Sequence, residues 1–152
     1  MRDCRIHAIF EGTSGVQALD LVHRRLLRGD SFEAFMTVAR AAGSDERLSS
    51  CLDLLDGAAV HLRGLPPGSD EVGKVAMDFL QLSILAASGW IAVGLLGKPA
   101  QSPAAEVLHA AARYWLSDLA DRGRLHHARI VGAAPDLAEL ATVRRNASLA
   151  GA

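Results

Sequence analysis

From Phe79 to Gly97 the chain runs for nineteen residues without a formal charge. No other stretch restricts the fold as much. A helix apolar on all sides has to be covered nearly all round, either by other helices or by lipid. Gln81, Ser83, Ser88 and three glycines dilute the stretch, and Asp78 stands at its border. The expectation is therefore the central helix of a bundle, with a membrane span as the alternative at this length.

The remaining sequence suits a bundle. A chain of 152 residues is enough for one buried core. Half of its residues are hydrophobic but only 5% are aromatic, so the core must be built from small and aliphatic side chains, which favours closely packed helices. The formal net charge of −1 provides no overall field toward nucleic acid or an anionic membrane. Cys4 and Cys51 form no CxxC pair and no Cys/His ladder, and read as two reduced thiols of a cytoplasmic protein. The N-terminus lacks the long apolar run of a signal peptide.

The punctuation is helical throughout. Val16, Leu19, Val22 and Leu26 fall on one face of a first helix, with Ser14 and Gln17 at capping-box spacing, and Gly29 ends it. Asp30 and Glu33 repeat the box before a short helix carrying Phe32, Phe35, Met36 and Ala39, which stops at Gly43. A third helix places Leu48, Leu52, Leu55, Ala59 and Leu62 in line. Residues 64–68, with two prolines, form a loop, and Ser69-Asp70-Glu71 opens the long apolar helix, which ends near Gly97. Ser102-Pro103 caps a further helix with Leu108, Ala112, Trp115 and Leu119 on one face, running to about Gly123. A weaker helix spans about Pro135 to Ala147, followed by a frayed tail. No alternating β-branched run and no internal repeat is present. The predicted fold class is all-α, an antiparallel bundle of five to six helices.

The chemistry concentrates before and at the start of the first helix. Glu11 follows Phe10 and precedes Gly12-Thr13-Ser14-Gly15. Glycines let backbone approach a ligand, a helix start offers unpaired N–H groups, and an aromatic neighbour can desolvate a carboxylate and make it a better base. On residues alone, a solvated loop acid before an ordinary turn and cap is the simpler account.

The segment from Arg2 to Arg28 resembles the active-site segment of acyl-CoA dehydrogenases through Arg2-Asp3, Arg5-Ile6, Glu11-Gly12-Thr13 and Gln17. It departs from the usual pattern at Cys4, Phe10 and Ser14. The resemblance implies that Glu11 is the catalytic base removing the α-proton of an acyl-CoA thioester, while the β-hydrogen leaves as hydride to FAD. It implies that Gly12 lies against substrate and that Thr13, Ser14 and Gly15 touch the flavin nucleotide. An oxidoreductase of fatty acid metabolism follows, a flavoprotein with electron-transfer flavoprotein as partner. The rest of the chain is similar to the additional C-terminal helical domain of the 3-methylmercaptopropionyl-CoA dehydrogenase type, through the Gln17–Val22 run, Ser88-Gly89-Trp90 and Ala111-Ala112-Arg113-Tyr114. Residues 1–29, the active-site segment and its helix, would then close the acyl-CoA dehydrogenase C-terminal domain, and residues 30–150 would form the acetyl-CoA dehydrogenase-like C-terminal helical domain.

The family's N-terminal helical and middle β domains have no counterpart in this sequence, so the expectation is a C-terminal fragment, inactive alone. Homo-oligomerisation or docking to the missing domains is expected, with no nucleic acid partner. The alternatives are a free-standing dimerisation or partner-subunit module, and a small membrane protein. Elsewhere, His126-His127 among Arg122, Arg124 and Arg129 reads as a solvated basic stretch, since adjacent histidines on a helix diverge. Trp90, Tyr114 and Trp115 read as core or interface anchors. No partner at a telling spacing accompanies His7, His23, His61 or His109.

Overall fold

The computed structural model describes residues 13–43, 45–66 and 69–132. Among them the chain is all-helical, with six helices. α1 is Thr13–Asp20 and runs straight into a π segment, Leu21–Leu26. α2 is Ser31–Ala41, α3 Glu46–Gly64, α4 Glu71–Leu96, α5 Pro103–Ser117 and α6 Leu119–Val131. The expected helix over 135–147 lies outside the described residues.

The uncharged stretch lies within α4, and α4 is the central helix: α1, α3, α5 and α6 all pack on it. α3 and α6 also pack on each other, and α2 joins the π segment to α3. α4 buries Val72, Val75, Ala76, Phe79, Leu82, Leu85, Ala86, Gly89 and Ala92, a stripe stepping by three and four. Its small residues permit close approach. A β-carbon on Gly89 would lie 2.6 Å from Leu119 Cδ2, and one on Gly123 of α6 would lie 3.2 Å from Leu54 Cδ1.

Several expectations are met. Leu48, Leu52, Leu55, Ala59 and Leu62 are all buried along α3. The Ser69 hydroxyl accepts from the Glu71 N–H at 3.2 Å. Ser102 Oγ accepts from the Ala105 N–H, with Pro103 at the first helical position. Gly43 takes φ +139, a conformation that favours glycine, just beyond α2.

Others are corrected. Ser14 stands inside the first turn of α1 rather than ahead of it. The buried face of that helix is Ala18, Val22 and Leu26, while Val16 is 67% and Leu19 39% exposed. Asp30 makes no side-chain cap, since its backbone is helical (φ −102, ψ 0) where a cap residue is extended, and Glu33 pairs with Arg63 of α3. The helix expected to end near Gly123 breaks earlier, at Asp118 (φ −119, ψ 11), where Ser117 Oγ turns back to the Tyr114 carbonyl. Gly123 is buried in mid-helix, and Leu116 replaces Leu108 on the packed face of α5.

The best-formed cap is at Asp45. Its Oδ1 accepts from the Arg47 N–H at 3.0 Å and the Leu48 N–H at 3.3 Å, and Oδ2 meets Arg47 Nη2 at 2.6 Å. The Arg47 guanidinium, with these N–H groups, holds the Asp45 carboxyl below its ordinary value. A depressed folded value contributes stability above the unfolded carboxylate pKa, about 3.9, and loses it as pH falls through the folded value. Asp45→Ala should therefore cost about 1 kcal/mol at neutral pH, and the gap to wild type should narrow in acid, as pH falls through the lowered folded value of Asp45. An equal gap at neutral and acid pH would remove the carboxylate from the account.

Close approach at Gly89 predicts opposite outcomes for two α4 glycines. Gly89→Val should destabilise by about 2 kcal/mol through overpacking against Leu119 and Leu48. At Gly94 nothing lies within 4 Å of a built β-carbon, so Gly94→Ala should stabilise by up to about 1 kcal/mol. Urea unfolding of the two variants tests the packing, which a neutral Gly89→Val would contradict.

Candidate functional site

Glu11 and Gly12 lie outside the described residues. Thr13, Ser14 and Gly15 form the first turn of α1, whose position is set further along by Ala18, Val22 and Leu26 packed into the common core. That turn is open. Gly15 is exposed, and a β-carbon there would meet nothing within 4 Å among the described residues. The first N–H groups of a helix have no intrahelical acceptor and sit at the positive end of its dipole, so this turn can present donors to an anion or a polarised carbonyl. Gly15 leaves room for backbone approach, as a ligand-facing turn requires.

The other sequence-level candidates separate in space. Trp90 of α4 meets Phe35 edge-on at 6.2 Å. Trp115 of α5 lies beneath the Arg122 guanidinium at 4.3 Å, and its buried indole N–H finds no acceptor among the described residues. Tyr114 is 82% exposed. Trp90 and Trp115 pack against the core and Tyr114 does not, so the three do not form one aromatic pocket. No group of three or more His, Cys, Asp and Glu among the described residues has metal-binding geometry.

The basic stretch on α6 is only partly solvated. Arg122 and Arg124 pair with Asp118 and Asp121 within their own helix. His126, by contrast, is half-buried, with Nδ1 2.7 Å from Asp78 Oδ1, and Arg129 Nη1 approaches the same oxygen at 3.4 Å. This cluster ties α6 to α4 at the border of the uncharged stretch. Residues 48 positions apart leave no local signal. The one hint was that Asp78 is the last charge before nineteen apolar or neutral residues.

Cys51 is buried in α3 with its sulfur beneath Gly123, and burial pushes its thiol up to about 11. The nucleophilic form is the thiolate, so Cys51 is a core residue and not a reactive centre. Comparison with protein-family profiles, with curated proteins and with solved structures returned no match.

In a Cys4→Ser background, Cys51 should not react with an aromatic disulfide reagent at pH 8 until denaturant opens the core. Fast labelling of the folded protein would show the α3–α6 contact to be open.

Proposed function

We propose that this chain supplies the catalytic-base segment and a C-terminal helical bundle to an FAD-dependent acyl-CoA dehydrogenase, and that protein beyond these 152 residues completes the active site. The reading rests on the Arg2–Arg28 pattern. It is supported by one structural observation: Thr13-Ser14-Gly15 opens a helix braced on the central helix, with Val16 and Leu19 uncovered beside it. Uncovered apolar surface next to a site is where further protein docks.

In this reading Glu11 takes the α-proton of the thioester. The Gly12 segment lies along the substrate, where backbone N–H groups can hold the carbonyl as negative charge develops on it. Thr13, Ser14 and Gly15 face the cofactor, and the open first turn of α1, bare at Gly15, is compatible with a nucleotide lying close. FAD supplies hydride acceptance when bound. The chain's own share is to place the base, present donors and, once covered, keep water from the carboxylate. A flavin dinucleotide with an acyl-CoA needs a large preformed cavity. The apolar cavity between the π segment, α2, α3 and α4 is only about 320 Å³ and lies beyond the motif. An acyl-CoA as substrate, electron-transfer flavoprotein as acceptor and a cytoplasmic location accompany the proposal.

A second reading, a helical subunit docking on a separate catalytic chain, draws on Met77, Ile84 and Ile91. These recur every seven residues on α4 and are 40%, 46% and 64% exposed. α4 is long and apolar enough to cross a membrane by length and composition. Its contacts with α1, α3, α5 and α6 are those of a core helix.

Purified alone, the chain should retain no flavin absorbance and form no enoyl-CoA with an artificial electron acceptor. Co-expressed with FAD-bearing dehydrogenase domains that lack this segment, it should restore turnover, and Glu11→Gln should then reduce the rate by about 10²–10⁴-fold. Activity of the isolated chain would sink the need for further protein. Indifference of the restored enzyme to Glu11→Gln would sink the base assignment.

A further inference from the structure

The apolar cavity of about 320 Å³ is walled by Phe32, Phe35 and Phe79 with Leu26 and Leu55, and among the described residues Arg25 is the one charged side chain in its lining. Its apolar character is pronounced, because the Ser83 hydroxyl is spent on the Phe79 carbonyl at 2.8 Å. A dry apolar cavity of about 150 Å³ accommodates benzene, so about twice that suits a ring with a short chain, or a medium alkyl chain.

Two features give the mouth a sign. Arg25 is exposed and has no ion-pair partner among the described residues, whereas its neighbour Arg24 pairs with Asp20. The second is the start of α2, where Ser31 joins the lining. The Asp30 side chain makes no cap hydrogen bond, which leaves the Ser31 and Phe32 N–H groups of α2 without a side-chain acceptor among the described residues, while the Glu33 carboxylate takes its own N–H. The wall carrying Arg25 is the π segment, closed by a Leu27 N–H bond to the Val22 carbonyl at 2.9 Å. Such turns occur often at functional sites.

We propose that this cavity binds a small amphipathic carboxylate, an aryl or medium-chain alkyl acid, with its apolar part among the three phenylalanines and its carboxylate at Arg25 and the start of α2. The site is independent of the dehydrogenase reading. Leu21, the nearest lining residue in sequence, is about 12 Å along the helix axis from Thr13.

The test uses the full chain, ¹⁵N-labelled, titrated with 4-phenylbutyrate and with the neutral alcohol 4-phenylbutanol. Saturable shifts should cluster at Leu21–Phe35 and Phe79–Ala87, and the acid should bind about tenfold more tightly than the alcohol. Arg25→Gln, at an exposed position, should erase that preference and leave the alcohol's affinity unchanged. Ala87→Phe should weaken both ligands; should it fail to fold, the acid–alcohol comparison on Arg25→Gln still decides. Absent or scattered shifts, or equal binding of acid and alcohol to the wild type, would overturn the proposal. So would cavity resonances that move with protein concentration and not with ligand, since these would place a second copy in the groove.

Discussion

The structure depends on covering α4. The uncharged run of α4 needs apolar cover, so α1, α3, α5 and α6 are arranged around it and leave the Met77–Ile84–Ile91 edge exposed. Burying a Leu or Phe side chain completely is worth roughly 1.5–3 kcal/mol, and Phe79, Leu82, Leu48, Leu52, Leu55, Leu62, Leu116 and Leu119 are all buried to that degree. The ion pairs are a lesser matter. Arg40–Asp53 and Arg124–Asp121 join well-exposed partners, for which about 0–1 kcal/mol each is typical. Apolar burial around α4 therefore decides the fold, and the charged periphery adjusts it.

Burial is non-directional, and a helix apolar on every side could rotate without losing much of it. Two features resist rotation. Gly89 lets Leu119 and Leu48 come closer than any side chain would allow, so turning α4 would bring a larger residue into that space. Asp78, at the border of the uncharged stretch, meets His126 and Arg129 of α6 and adds a contact with direction. One acts by shape and the other by polarity, and together they set the register of α4 against α6.

Legibility followed from how local the determining interaction is. The α3 stripe, the Ser102-Pro103 start and the Gly43 stop could be read directly, because each depends on residues within a turn or two. The Asp118 break could not, since the apolar spacing from Ala112 to Leu119 continues through it. Gly123 looked like a helix terminator because its role is contact with Leu54, Leu82 and Cys51, which are distant in sequence. The packed face of α1 was misjudged for a related reason: Ala18 is a weak hydrophobic signal, yet it fits against the bundle where the larger Val16 does not. Of the candidate site, the helix opens at Thr13, ahead of the expected Ser14 cap, and Glu11 and Gly12 lie outside the described residues. The half-buried environment of His126 depended on a partner 48 residues away.

The brace on α1 bears on the proposed chemistry. A catalytic base has to be held within about 0.5 Å of its productive position, and a glutamate followed by glycine needs a fixed neighbour for that. The helix that follows it can serve, provided it is fixed elsewhere. Ala18, Val22 and Leu26 fix it to the core, leaving the first turn free to meet a ligand and the Val16–Leu19 side free to meet further protein. In the proposed enzyme the bundle is then a positioning platform. Its packing around Gly89 and Leu119 would reach the base through α4 and α1, although neither residue touches the reacting atoms.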